Sequence, residues 1–208
     1  MPTAAPLKTY YLARHGQVEE AFHGIFYGWL DPGLSDLGHQ QAGRLAHHLN
    51  TLELAFDACY SSDLQRCHHS LQTMALHGAR LPDPLVLPGL REKNMGKAEG
   101  LPFHQVLQQY PHLHPKGRNW LEVEEGESLA QFTRRVQTAW EEVRRSAPAG
   151  NSLIMCHGGV IRVVVAHLLH CPLRALSHMR VDHCSLTIIE EYEDSLALRS
   201  LNRQIHLS

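Results

Sequence analysis

Two short apolar runs in this chain each break off at a histidine followed by glycine. Residues 7–13 lead into Arg14-His15-Gly16, and residues 152–156 lead into His157-Gly158-Gly159. Runs this short, bounded by polar, Gly or Pro residues, read as strands of a parallel sheet buried on both faces. In open α/β sheets the crevice beyond the carboxyl ends of the strands is where ligands bind, so His15 and His157 can converge although most of the chain lies between them. A strand ending in a polar residue and glycine is common, and with 17 histidines in the chain either motif alone is more readily structural. The pair predicts a pocket.

More charged groups fall at the same sheet edge. The strand-like run 56–60 is followed by Ser61-Ser62-Asp63-Leu64-Gln65-Arg66, which opens a helix and sets Arg66 in its first turns. A further short apolar run, 85–87, leads to Glu92. Arg14 and Arg66 beside two imidazoles, with one acid, suggest phosphate chemistry. The bland reading of Glu92 is a surface charge in Arg91-Glu92-Lys93.

Helical spacing follows most of the strands. A helix capped by Ser35 or Asp36 runs to about residue 49. Others are expected over 63–77, 128–146 and 159–169. The helix over 128–146 is the clearest, with Leu129, Phe132, Val136, Ala139, Trp140 and Val143 on one face and charges on the other. A strand pair, 183–192 and 195–202, closes the chain around an acidic turn at Glu193-Asp194. The alternation implies an α/β fold, a three-layer α/β/α sandwich on a mostly parallel sheet with a late antiparallel edge.

Length and composition agree with one domain. At 208 residues and 43% hydrophobic the chain can bury a full core, and no linker divides 1–208. Pro and Gly cluster at 81–89 and 111–117, as in loops or a cap-like insertion, placed at about 95–125. A formal charge of −2 with no dense basic run argues against nucleic acid. The most apolar stretch, 160–169, is interrupted by Arg162 and His167 and is too short for a bilayer. Residues 1–8 lack the charged start and apolar core of a secretion signal. Five cysteines without Cys-x-x-Cys spacing read as reduced thiols in a cytoplasmic protein. His112-x-His114, His47-His48 and His68-His69 lack a Cys or carboxylate at ligand spacing, so neither a metal nor another cofactor is expected. One aromatic between Phe22 and Trp29 is expected to line the pocket.

The ordered series of motifs resembles the histidine phosphatase superfamily, the phosphoglycerate-mutase-like proteins, over nearly the whole length. Arg14-His15-Gly16-Gln17 is similar to the family's first strand end, and Gly28, Asp31, Leu34-Ser35, Gly38 and Gln41-Ala42 to the segment after it. Ser62, Leu64, Arg66 and Ser70 resemble the second arginine motif. Leu90, Glu92, Gly96, Glu99 and Gly100 resemble the acid loop, Gly126-Glu127-Ser128 the next connection, and His157-Gly158-Gly159 with Arg162 the last motif.

The resemblance implies a phosphoglycerate-mutase-like fold and assigns roles. His15 is the nucleophile that becomes a phosphohistidine, which requires a neutral ring whose tautomer a backbone carbonyl would fix. Arg14 and Arg66 hold the phosphoryl oxygens through planar paired donors, with Gln17 and Gly158 also binding phosphate. His157, if protonated, adds a donor, and Glu92 protonates the leaving alcohol and then activates water. A carboxylate near two arginines tends to stay ionised, so this acid role needs desolvation or the incoming dianion. Val18 and Ala21 stand where Thr and Asn are frequent in the family, and Ala98 where Trp is frequent, which would leave the pocket wall open.

The implied activity is hydrolysis of a small phosphorylated metabolite by a metal-independent phosphomonoesterase, with a homodimer left open. Mutases of the superfamily resemble a longer chain with a larger insertion, and segment 100–126 is modest here, so hydrolysis is preferred to phosphoglycerate-mutase-type transfer. His178-Met179-Arg180-Val181-Asp182 is similar to the tail of alpha-ribazole phosphatases, pointing to alpha-ribazole 5'-phosphate. A non-catalytic phosphate-ester binding module is the alternative of another class. A pure binder has no use for an acid beside the leaving group.

Overall fold

The computed structural model describes residues 5–110 and 122–204. Six strands form one sheet: β1 (Lys8–Arg14), β2 (Ala58–Ser61), β3 (Leu85–Val86), β4 (Gly150–Cys156), β5 (Leu186–Glu191) and β6 (Leu196–Arg203). Their order is β3-β2-β4-β1-β5-β6. The first four of these are mutually parallel, while β5 runs antiparallel to β1 and β6 to β5. Helices α1 (Asp36–Thr51) and α2 (Gln65–Leu76) lie on one face, α4 (Leu129–Ser146) and α5 (Gly158–Leu168) on the other, and α3 (Phe103–Gln109) beyond one end.

Side-chain alternation along β1 explains the two-sided burial. Tyr10 and Leu12 enter the cluster with Phe132, Val136 and Trp140 of α4 and Val160 and Val164 of α5. Tyr11 and Ala13 enter the opposite cluster, with Leu45 and Leu49 of α1 and Leu71 and Met74 of α2. Successive residues of a strand point to opposite faces, and a strand covered on both faces must be apolar throughout. Trp140 is fully buried, its ring edge-on to Tyr10 at 4.9 Å between centroids. Truncating such a side chain to alanine costs about 3–5 kcal/mol.

Helix starts follow their caps. The Ser35 side chain accepts from Gly38 N at the head of α1. Ser128 and Gln131 form a reciprocal capping box at α4. The helix expected from residue 63 begins at Gln65 instead, because Asp63 is paired with Arg91 through two bonds of 2.7 and 2.5 Å. The last strand pair also starts late. Residues 182–185 form a turn in which Ser185 Oγ donates to Asp182 O and Cys184 takes φ 51°, so β5 begins at Leu186.

Within the segment expected as a cap, Met95, Ala98, Val106 of α3 and Val123 form a third apolar cluster with Phe26, backed by Phe103. This part packs on the loop that follows His15. Residues 111–121, with His112, His114 and Trp120, lie outside the described residues. Ala98 is 1% exposed within that cluster, so the small side chain is covered by its neighbours rather than opening the pocket wall. Among the described residues no helix is long and apolar enough to cross a membrane, and the five cysteines are free, four buried and Cys171 half-buried.

Candidate active site

The register of the two central strands places the histidines. Arg14 of β1 is opposite Cys156 of β4, so the next residues, His15 and His157, leave neighbouring strands together. His15 N donates to Cys156 O at 3.0 Å, and the imidazole centroids are 5.1 Å apart. Gly16 keeps the turn tight: a Cβ there would lie 2.5 Å from the Gly38 carbonyl oxygen at the head of α1.

The His15 tautomer is set locally. Nδ1 is 2.7 Å from Gly16 O. A carbonyl only accepts, so Nδ1 carries the proton and Nε2 keeps its lone pair. Burial holds the His15 pKa well below the usual histidine range, helped by the positive charges of Arg66 and Arg14. The neutral ring expected of a nucleophile is thus the favoured form.

His157 is neutral as well, with burial the main cause and Arg66 and Arg14 adding to it. Its Nδ1 accepts from Arg66 Nε at 3.3 Å. The proton therefore sits on Nε2, 2.9 Å from Ser62 Oγ. As the ring stands both nitrogens are engaged and it braces Arg66; the protonated phosphate donor that the resemblance implied would need Nδ1 to give up its contact with Arg66.

The arginines differ in access. Arg66 is fully buried; besides His157 it donates to Leu30 O at 2.9 Å and Gly28 O at 2.8 Å, and its guanidinium carbon lies 5.1 Å from the centre of the Tyr27 ring. Three of its five N–H groups are committed to these acceptors, and Asp31 Oδ1 lies 3.8 Å from Nη1. The 28–30 loop that supplies these carbonyls is itself held by Glu99, whose carboxylate accepts from Trp29 N, Leu30 N and Met95 N at 2.7, 2.9 and 3.0 Å. Arg14 lines the cavity; it donates to Val181 O at 2.7 Å and reaches His183 Nε2 at 2.8 Å. Its Nε is buried without a hydrogen-bond partner among the described residues.

Glu92 sits at the head of α5. Oε2 accepts from Gly159 N at 2.9 Å and Oε1 from Lys93 N at 2.8 Å. Its own carbonyl accepts from Trp29 Nε1 and from Arg135. Arg135 also reaches the carbonyls of Gly89 and Arg91 and pairs with Glu127 at 2.6 and 2.7 Å.

A cavity of about 210 Å³ gathers these groups, lined by Arg14, His15, Glu92, Gly158 and Gly159 at its floor and Ile25, Phe26, Tyr27, Met95 and Phe103 at its wall, with Arg162. Phe26 and Tyr27 are the pocket aromatics anticipated between Phe22 and Trp29. Gly158, the first residue of α5, brings a helix N-terminus with an N–H that has no intrahelical acceptor, a geometry suited to an anion. Gln17 stands apart. Its Oε1 accepts from Ser35 Oγ at 3.0 Å, and it is not among the cavity-lining residues. The Ser35 hydroxyl at the head of α1 holds this amide by its oxygen, and the NH2 group is the part that could donate to a phosphate.

Sequence reasoning missed His183. Its imidazole centroid lies 5.6 Å from that of His15, and burial, with Arg14 nearby, pushes its pKa down to about 3. The only cue was its place just before an apolar run, which read as strand rather than turn. Among the described residues no cluster of three or more His, Cys, Asp or Glu could hold a metal.

A parallel sheet whose crevice presents a neutral imidazole, two guanidinium groups, a helix N-terminus and a carboxylate defines an α/β enzyme that handles phosphate esters. The chain belongs to the histidine phosphatase superfamily (branch 1), whose family model matches residues 10–204. It is 31% identical over 191 residues to a broad-specificity phosphatase of Saccharomyces cerevisiae, covering 89% of this chain and 80% of the relative. It is 29% identical over 202 residues to phosphoserine phosphatase 1 of Hydrogenobacter thermophilus, covering 94% and 92%. The crystal structure of the alpha-ribazole phosphatase from Shigella flexneri superposes with a TM-score of 0.81 at 26% identity, covering 93% of this chain and 96% of that one. The protein is thus a phosphatase of this superfamily.

Proposed function

We propose that the chain hydrolyses a small phosphomonoester through a phosphohistidine at His15. The observation that carries the reading is the bond from His15 Nδ1 to Gly16 O, which leaves the Nε2 lone pair as nucleophile in a cavity flanked by arginines. Nε2 attacks phosphorus and the bond to the ester oxygen breaks, while Glu92 gives its proton to the departing alkoxide. In the second step water attacks phosphorus, the N–P bond breaks, and Glu92 takes a proton from that water. Arg14, Arg66 and the Gly158 N–H stabilise the charge on the transferring group. In phosphoryl transfer such positioning supplies most of the rate.

Hydrolysis is favoured over mutase-type transfer by the modest length of segment 100–126 and by the relatives, which are named phosphatases. The alpha-ribazole reading rests on residues 178–182. Within that segment the contacts to the site arginines are made by the carbonyls of Met179 and Val181, and any sequence supplies carbonyls, so this segment does not discriminate between substrates. Quenching turnover of p-nitrophenyl phosphate in alkali tests the proposal. Acid-labile, alkali-stable phosphate on His15, absent in His15→Ala, is the expected result; steady turnover with no phosphoenzyme would remove the mechanism. No activity above the His15→Ala control would favour the binding module.

A further inference from the structure

Arg162 is the cavity cation that the chemistry at phosphorus does not use. Glu92 is bonded to Gly159, and Arg162 follows three residues later on α5. Residues three apart share a helix face, so Arg162 stands one turn beyond the acid. The acid must face the ester oxygen that departs, so a group beyond it addresses the leaving alcohol rather than the phosphoryl group. Arg162 is anchored only through Nε, which donates to Met179 O at 2.8 Å. Its two terminal NH2 groups make no hydrogen bond or ion pair among the described residues, and they border an apolar wall of Ile25, Phe26, Met95 and Phe103.

We propose, resting on the hydrolase reading above, that the leaving group of the natural substrate carries a carboxylate and that Arg162 binds it. Charge balance agrees. Arg66 already faces Asp31 Oδ1 at 3.8 Å, whereas Arg14 and Arg162 are the guanidinium groups that line the cavity, and with Arg14 serving the phosphoryl group Arg162 is placed for a second anion. Beside an apolar wall the pairing of a carboxylate with it is stronger than in water. The planar fork of a guanidinium fits a carboxylate through two parallel bonds. At about 210 Å³ the cavity falls below the roughly 300–1,000 Å³ of drug-sized ligand sites, which suits a short leaving group. Alpha-ribazole, with no acid on its sugar or base, gives Arg162 nothing to bind.

The test compares 3-phosphoglycerate with glycerol 3-phosphate, two three-carbon esters that differ by the carboxylate. The wild-type protein is expected to show a kcat/KM at least tenfold higher for 3-phosphoglycerate. Arg162→Met is expected to cost 3-phosphoglycerate at least tenfold more than glycerol 3-phosphate, mostly in KM, and Arg162→Lys to keep part of the preference. Equal kcat/KM values in the wild-type protein overturn the proposal whatever the variants do. Equal losses on both esters in Arg162→Met also overturn it, since they would mark a role in phosphate binding or folding. If neither ester nor p-nitrophenyl phosphate turns over above the His15→Ala control, the hydrolase reading falls first and the inference with it.

Discussion

Gly159 donates its backbone N–H to Glu92 Oε2 at 2.9 Å, in a space where a Cβ on Gly159 would lie 2.1 Å from Glu92 Oε1. The approach fixes the carboxylate at the N-terminus of α5 and excludes any side chain at residue 159. Gly159→Ala is tolerable to the helix backbone but must displace the acid. General acid catalysis contributes typically 10²–10⁴-fold, so kcat for an alkyl ester should fall by about 10²-fold. p-Nitrophenyl phosphate, whose leaving group departs without a proton, should lose less than about tenfold on the same grounds. Equal losses on the two substrates would show that Glu92 does not protonate the leaving group.

His183 tests whether Arg14 needs its imidazole partner. The 2.8 Å contact runs from Arg14 to His183 Nε2, and neutral His183 can accept there. His183→Ala removes one acceptor from a site guanidinium, worth about 1.5 kcal/mol, or roughly tenfold in affinity. The change should appear in KM and in the inhibition constant of inorganic phosphate, with kcat nearly intact. His183→Asn, which offers an amide carbonyl, should recover most of the loss. A kcat effect without a KM effect would place His183 elsewhere in the reaction.

The parts legible in sequence were those governed by local periodicity. β1 and β4 stood out because strands covered on both faces must be apolar along their length, α1 because Ser35 offers a cap, and α4 because its apolar residues recur on one face. Convergence of His15, His157, Arg14, Arg66 and Glu92 followed from strand ends sharing one sheet edge. What escaped depended on tertiary competition. Asp63 reads as the first residue of a helix, but Arg91 claims it. Gln17 reads as a phosphate ligand, but Ser35 holds its amide and it is not among the residues lining the cavity. His183 reads as strand, but the Asp182–Ser185 turn swings it onto Arg14. None of these partners is near in sequence, so no window of residues could reveal them.

Arg135 ties the acid loop to α4. It forms a two-bond pair with Glu127 and reaches the carbonyls of Gly89, Arg91 and Glu92. Arg135→Met would remove a donor from the Gly89 and Arg91 carbonyls and the cation facing Glu127, while Trp29 still serves the Glu92 carbonyl and Asn94 N the Glu127 carboxylate, a loss of about 2–3 kcal/mol allowing for partial solvent access. For a domain of this size that corresponds to a fall in Tm of about 5–10 °C. Glu127→Gln, which keeps an acceptor for Arg135, should cost less than half as much. A melting curve for Arg135→Met within about 2 °C of wild type would show the network to be dispensable.

The buried histidines determine how stability responds to acid. His15 and His157 are 1% and 0% exposed, and both are held neutral with pKa values well below the ordinary 6.5. In the unfolded chain they regain ordinary values, so below about pH 6.5 the unfolded state binds more protons than the folded one. Stability therefore rises with pH through this window: it is full above about pH 7 and falls as acid is added, until the folded rings protonate. With His183, pushed down to about 3, three such groups give a limiting slope of about 4 kcal/mol per pH unit, two thirds of it from His15 and His157. Between pH 7.5 and 5.5 the urea midpoint should drop, and the double variant His15→Gln with His157→Gln should lose most of that dependence, its amides having no proton to gain. An acid dependence as steep in the double variant as in wild type would assign the proton uptake to other groups.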